Sequence, residues 1–202
     1  RGGIFDHIGG GFCRYSTDRR WLVPHFEKML YDNALLAISY LECYLITKDK
    51  FYANVARRIF DYIIRDMSSS EGGFYTAEDA DSEGVEGKFY VFIPEEIEKI
   101  LGAEDARRFC QFYNISERGN FGGKSILNRL NSEDMLEPDG DMIEFRQRVF
   151  AGREKRIRPF RDEKVLVGWN GLMIAALAMG ARILGDDKLL TRAIEAVDFI
   201  MK

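Results

Sequence analysis

Only two histidines, two tryptophans, three cysteines and four prolines occur in this chain of 202 residues. The cysteines, Cys13, Cys43 and Cys110, form no CxxC pair, and their odd number argues against a disulfide framework. A reducing, cytoplasmic setting is therefore expected. The longest uninterrupted apolar run, Leu172–Met179, falls well short of the roughly 20 residues that a bilayer-spanning helix needs, so no membrane association is expected. Neither sign of charge dominates: 29 Lys and Arg stand against 33 Asp and Glu, for a net charge of −4. The basic residues are spread along the chain rather than gathered into a stripe, which argues against nucleic acid as a partner. No Walker A motif occurs, and the Gly9-Gly10-Gly11 run has no hydrophobic strand before it, so neither nucleotide fingerprint is met and no cofactor is expected. The chain opens at Arg1-Gly2-Gly3 without an initiator Met or a basic-then-apolar leader, which reads as an excised fragment.

Apolar residues supply 46% of the chain, enough for one sizeable core, so one domain or part of one is expected. Phe51, Val55, Ile59, Tyr62 and Ile63 fall on one helix face, and Leu35, Ile38, Leu41 and Leu45 do much the same before them. The polar joint Thr47-Lys48-Asp49-Lys50 is short, which makes the pair an antiparallel hairpin. A second hairpin is predicted from Asn170–Leu184 and Asp186–Lys202. The offset 170 − 33 = 137 aligns Asn33 with Asn170, and it also pairs Leu35 with Leu172, Asp49 with Asp186, Ala56 with Ala193 and Ile63 with Ile200 without a gap. Repeated helix pairs suggest a solenoid or a closed ring of hairpins, although two amphipathic hairpins can share such residues by chance.

The stretch between the hairpins is less regular. Phe74–Thr76 and Lys88–Ile93 read as strands flanking the acidic turn Glu78–Gly84, and Ser125–Leu130 as a further strand after the glycine-rich loop 119–124. Helices are predicted over Pro94–Leu101, Ala103–Phe112 and Met142–Lys155. The strands are too short to build a sheet-based domain and read as decorations on a helical fold.

Residues 6–33 are the densest in chemically useful side chains. They hold both histidines, His7 and His25, together with Trp21, several acids and three consecutive glycines. Glycines let backbone approach a ligand, and Trp and Tyr offer flat faces with polar tips, a common way to build a sugar site. His7, Arg14, Tyr15, Trp21 and Tyr31 are thus candidate ligand contacts, and His25, Glu27 and Asp32 candidate proton-transfer groups. The bland reading competes: His25 as a packing residue after Pro24, Glu27 as a first-turn acid, and Asp32 or Asn33 as a helix N-cap. His25-x-Glu27 with His7 or Cys13 supplies metal-ligand types, but a zinc deaminase would also need a downstream CxxC, so no metal is expected. Asp79 and Asp81 can supply carboxylates for glycosidic chemistry or can simply form a solvated turn. Trp169 can stack on a ligand or fill the core, with Asn170 as a helix cap. Cys43 and Cys110 read as inert core thiols.

The runs Gly2–His7, Gly9–Phe12, Arg14–Asp18 and Pro24–Ala34 resemble the thioredoxin-domain-containing family of spermatogenesis-associated-protein-20-like proteins. Ala80–Gly84, Glu86–Val91, Gly119–Phe121 and Trp169–Leu177 are similar to its later blocks. The resemblance covers nearly the whole chain. It implies an all-α fold, part of an (α/α)6 toroid of helical hairpins with short β-strand decorations, similar to six-hairpin glycosidases and sugar epimerases. This chain would form roughly the first half of that barrel, and a thioredoxin-like domain would precede it as a partner in the parent chain. One departure is Cys13, where the family usually has His. Epimerase relatives draw key histidines from later hairpins, beyond this chain.

The expectation is a carbohydrate-active or sugar-binding barrel with a small, polar, sugar-like ligand. For an epimerase or isomerase, His25 would move the proton, oriented by Glu27 or Asp32. For a glycoside hydrolase, Glu27 or Asp32 would pair with Asp79 or Asp81. Trp169 and Asn170 would add ligand contacts. The alternative is a non-catalytic scaffold or binding module attached to the thioredoxin-like redox domain.

Overall fold

The computed structural model describes residues 1–132 and 140–202. In chain order the elements are β1 (Tyr15–Ser16), β2 (Pro24–His25), β3 (Lys28–Met29), α1 (Leu30–Thr47), α2 (Lys50–Asp66), β4 (Ala77–Glu78), β5 (Asp81–Ser82) and β6 (Val85–Glu86). There follow α3 (Pro94–Leu101), α4 (Ala103–Phe112), α5 (Asp141–Arg153), β7 (Arg161–Asp162), α6 (Val167–Leu184) and α7 (Asp187–Ile200). The fold is mostly helical, with strands only two residues long. Where the sequence suggests one core, the chain divides into two compact units: Arg1–Gly9, Cys13–Phe26 and Ala80–Phe160 form the first, and Gly10–Phe12, Glu27–Asp79 and Arg161–Lys202 the second.

The second unit holds both hairpins. α1 packs on α2 and on α6, and α6 packs on α7. The two hairpins repeat one another closely. Shifting α1 by the offset 137 gives the bounds of α6, and the same shift carries the left-handed C-cap Lys48 (φ 59°) onto Gly185 (φ 65°). It also carries the N-cap Asp49 onto Asp186. Asp49 accepts from Phe51 N at 2.9 Å and Asp186 from Lys188 N at 3.1 Å, each satisfying a first-turn donor.

Asn33 and Asn170 are the deepest part of the repeat. Each is the fourth residue of its helix and completely buried, so neither is the N-cap that the sequence suggested. Asn33 Oδ1 accepts from Phe12 N at 2.8 Å, while its Nδ2 donates to Phe12 O at 3.1 Å and Met29 O at 3.0 Å. Asn170 treats Phe74 N, Phe74 O and Leu166 O in the same way at 2.8, 3.0 and 3.1 Å. Both clasped phenylalanines follow a glycine pair, Gly10-Gly11 and Gly72-Gly73. Gly10 has φ +81°, and a Cβ there would lie 2.3 Å from the Arg58 carbonyl oxygen, so only glycine fits. A primary amide pairs with one backbone N–H and C=O at once, which is why Asn serves twice.

A three-stranded antiparallel ribbon, β3-β4-β7, completes this unit, with Lys28 opposite Glu78 and Glu78 opposite Arg161. Lys28, Tyr62 and Glu78 are all buried. Lys28 Nζ donates to Gly10 O at 3.0 Å and sits 4.4 Å from the Tyr62 ring centroid, and Tyr62 Oη donates to Glu78 Oε2 at 2.8 Å. By length and composition alone α6 is long and apolar enough to cross a membrane, with mean hydropathy 1.4 over 18 residues; the helix extends beyond the eight-residue apolar run read from the sequence.

The first unit contains α3, α4 and α5 around an apolar cluster of Phe92, Ile97, Phe109, Tyr113, Phe145 and Val149. A second cluster joins Cys13, Phe26, Phe89, Tyr90, Val91 and Ile126. Three predicted strands are corrected here. Lys88–Ile93 begins as a turn over Lys88–Tyr90 and has one bridge from Phe92 to Ser125, and Ser125–Leu130 has only that bridge. The turn is fixed from a distance, because Arg156 Nη1 donates to the carbonyls of Phe89 and Val91 at 2.9 and 2.8 Å. In the second unit the ladder expected at Phe74–Thr76 falls at Ala77–Glu78, leaving one bridge between Phe74 and Ser68.

Candidate functional site

β1 and β2 pair with Tyr15 opposite His25. Residues directly opposite in an antiparallel pair share a face, and here the rings stack with centroids 5.0 Å apart at 21°. His25 Nδ1 donates to Glu86 Oε1 at 2.9 Å, with His25 30% and Glu86 46% exposed in their side chains. Glu86 lies on β6, opposite Asp81 on β5. Glu83 (φ 54°) and Gly84 (φ 72°) form the two-residue turn between these strands, the positive-φ pair that tight hairpins prefer. Two small hairpins of the first unit thus bring an imidazole, a stacked phenol and a carboxylate into one half-exposed group. A carboxylate on one imidazole nitrogen fixes the orientation of the ring.

The loop from β1 to β2 is built around Asp18. Its Oδ1 accepts from Leu22 N at 2.8 Å and Val23 N at 3.0 Å, its Oδ2 from Arg20 N at 3.3 Å, and Ser16 Oγ donates to Oδ1 at 3.0 Å. Desolvation acts to raise the Asp18 pKa, but the donors from Val23, Ser16, Leu22 and Arg20 outweigh it and hold the carboxyl below its ordinary 3.8. At the tip of this loop Trp21 takes φ 60°, an uncommon conformation for a bulky residue, and is 60% exposed. Glycine is required at position 2, because a Cβ there would fall 2.0 Å from the Trp21 carbonyl oxygen. An aromatic held in a strained conformation by a caged loop and turned to solvent is a feature that costs free energy and points to use.

The other residues singled out from the sequence are distributed as follows. Arg14 and Asp81 are exposed in the first unit. His7 is buried there; its Nε2 donates to Gly2 O at 3.1 Å and its ring packs edge-on to Phe5 and at a tilt to Tyr113. Glu27, Tyr31, Asp32, Asp79, Trp169 and Asn170 belong to the second unit. Tyr31 and Trp169 are half-buried and meet edge to face with centroids 4.7 Å apart, Asp79 is exposed, and Glu27 and Asp32 are half-buried. The amide of Asn170 is engaged with backbone inside the fold. The carboxylate at His25 Nδ1 is that of Glu86, a residue not singled out from the sequence. The signal was the Ser82-Glu83-Gly84-Val85 turn, which sets Asp81 across from Glu86.

Elsewhere in the first unit Arg153 reaches Asp6 with two bonds of 2.9 Å, and both side chains are buried. Burial disfavours the charge on Arg153, but the Asp6 carboxylate outweighs it and raises the guanidinium pKa. A Cβ at position 9 would fall 2.2 Å from Arg153 Nη2, so a side chain there would have to displace the guanidinium. Of the thiols, Cys13 is buried and Cys110 half-buried, whereas Cys43 is exposed on α1 rather than in a core. Burial, with Glu95 nearby, pushes the Cys110 thiol up to about 11, so it is no nucleophile at neutral pH. Among the described residues no group of three or more His, Cys, Asp or Glu side chains is arranged to hold a metal ion.

No protein-family model matches the chain. Over its whole length it is 37% identical to spermatogenesis-associated protein 20 of Homo sapiens and 36% identical to that of Rattus norvegicus, and it spans 30% of the length of each. It is also 32% identical to an uncharacterised protein of Caenorhabditis elegans, of which it spans 32%. The chain is thus similar, from end to end, to one segment of the spermatogenesis-associated-protein-20-like proteins.

Proposed function

We propose that the β1–β2 and β5–β6 hairpins form the wall of a site for a small, polar, sugar-like ligand, and that His25, held by Glu86, is its proton-transfer group. The observation that carries this reading is the 2.9 Å His25–Glu86 hydrogen bond with Tyr15 stacked on the imidazole, on a surface open to solvent. Tyr15 and Trp21 supply the apolar faces on which a sugar ring stacks, and Arg14 and Asp81 the polar groups that fix its hydroxyls. For an epimerase or isomerase, His25 takes the proton from a carbon next to a carbonyl, and Glu86 stabilises the imidazolium until the proton is returned. For a glycoside hydrolase, Glu86 and its cross-strand partner Asp81 are the two carboxylates, one to protonate the leaving oxygen and the other to activate water or attack.

The larger setting is part of the same proposal. The repeated hairpins α1–α2 and α6–α7 belong to an (α/α)6 ring of which this chain is roughly the first half, and a thioredoxin-like domain precedes it in the cytoplasmic parent protein. The test is a thermal-shift screen of a broad panel of sugars on that full-length protein. At least one sugar is expected to raise the melting temperature, by the linkage between binding and stability, and His25→Ala is expected to abolish the rise. A panel without effect, or a rise that His25→Ala leaves in place, would contradict the proposal.

A second reading is favoured by one observation. Residues 5–13 are buried throughout, and His7 is engaged with backbone, as befits a packing segment. On this reading the chain is a non-catalytic scaffold for the thioredoxin-like domain, and no sugar in the panel binds.

A further inference from the structure

α2 and α7 are tied together at two places. Arg57 on α2 donates to Leu184 O at 3.1 Å and pairs with Asp186, the N-cap of α7, at 3.6 Å. Arg192 on α7 donates to Ser68 Oγ, just past the end of α2, at 3.1 Å. Between these ties lies an open cleft of about 440 Å³. Small-molecule sites occupy roughly 300–1,000 Å³, so the cleft is of ligand size. Asp61, Ile64 and Arg65 line it from α2, and Lys188, Leu189 and Arg192 from α7, each set at the spacing of one helix face.

Most of the charges on these walls are already answered. Arg65 Nε donates to Asp66 Oδ1 at 3.0 Å, Arg192 pairs with Glu195, and Asp186, also on the wall, is held by Arg57 and by the Lys188 amide at 3.1 Å. Among the described residues the Asp61 carboxylate and the Lys188 ammonium take part in no hydrogen bond and no salt bridge. One group of each sign is therefore left on the cleft wall. Burial outweighs the guanidinium groups of Arg65, Arg58 and Arg57 and, with the Asp186 carboxylate, holds the Asp61 carboxyl above its ordinary 3.8. A cation brought to Asp61 would offset that cost. A simple anion would leave Asp61 unanswered, and the second charge of a phosphate would meet it. Half-buried Ile64 and buried Leu189 add an apolar wall on each side.

We infer that this cleft binds an α-amino acid with a branched apolar side chain, its ammonium on Asp61, its carboxylate on Lys188 and its side chain between Ile64 and Leu189. The inference does not depend on the sugar reading above. Calorimetric titration of the full-length protein with L-leucine tests it. Leucine is expected to bind, and isocaproate, which lacks the ammonium, and isoamylamine, which lacks the carboxylate, are each expected to bind at least about tenfold more weakly. Asp61→Asn and Lys188→Gln are each expected to weaken leucine binding about tenfold, with melting temperatures close to that of the wild type, since neither side chain is bonded within the fold. Either variant alone suffices if the other fails to fold. No binding of leucine, equal binding of either analogue, or leucine binding unchanged in the folded variants would overturn the inference.

Discussion

Residues 2–13 and 14–25 are neighbours in sequence, each with one histidine and two large aromatic side chains, yet the fold treats them in opposite ways. In the first stretch nearly every side chain is buried and its polar groups are used up by the protein: Asp6 by Arg153 and by the amides of Ile8 and Gly9, His7 by Gly2, and the Phe12 backbone by Asn33. In the second stretch Tyr15 and Trp21 are 49 and 60% exposed, and the polar work of the loop falls on one residue, Asp18. Density of useful residue types therefore marks two different things, a packed strut and a presented surface. The two histidines fall on either side of the divide.

The comparison is broken most readily at the buried ion pair. Arg153→Met leaves Asp6 charged and buried without its partner, and the loss is expected to be about 3–5 kcal/mol in urea unfolding. The double variant Asp6→Leu with Arg153→Met is expected to recover a large part of it. A single-variant loss below about 1 kcal/mol would mean that water reaches the pair and the strut is not closed. Next in size are the clasps. Asn33→Ala and Asn170→Ala each strand a buried N–H and C=O, at an expected cost on the order of 2–3 kcal/mol, and the two losses should agree within about 1 kcal/mol because the geometry is the same. Unequal losses would show that the repeat is one of shape only.

The clasps also mark how far the sequence could be read. The hairpins were legible from helical periodicity, and α3 and α4 match their predicted bounds because Pro94 and Gly102 punctuate them. The offset between the hairpins was legible too, and the structure extends it to caps and side-chain bonds. What Asn33 and Asn170 do was not legible. An Asn near the start of a helix reads as an N-cap, and only the tertiary fold supplies a glycine-paired phenylalanine for its amide. The apolar run Phe89–Phe92 reads as a strand, but the carbonyls of Phe89 and Val91 go to Arg156, more than sixty residues away. Glu86 escaped notice for a like reason, since its link to His25 spans 61 residues and depends on a two-residue turn.

On the presented side the effects on stability are expected to be small. Tyr15→Ala and Glu86→Gln should each change stability by less than about 1 kcal/mol, since a half-exposed pair contributes little. A loss comparable to that of the clasps would place these residues with the strut. The smallest effect is that of pH on the Asp18 loop. Because the folded pKa is depressed, the carboxylate's contribution is present in full above its ordinary 3.8 and is lost as the pH falls through the lower folded value. The stability difference between wild type and Asp18→Asn is therefore expected to shrink below pH 3.8, as followed by thermal melts from pH 6 to pH 2. A difference that does not vary with pH would show that the cage does not depend on the charge.

The proposal that His25 and Glu86 act together on a bound ligand is tested most directly by calorimetric titration of the full-length protein with the sugar that stabilises it best. His25→Ala and Glu86→Gln are each expected to weaken the dissociation constant by about tenfold or more, a loss of about 1.4 kcal/mol, with melting temperatures close to that of the wild type. A dissociation constant unchanged in both variants would contradict the assignment and leave the pair a surface contact.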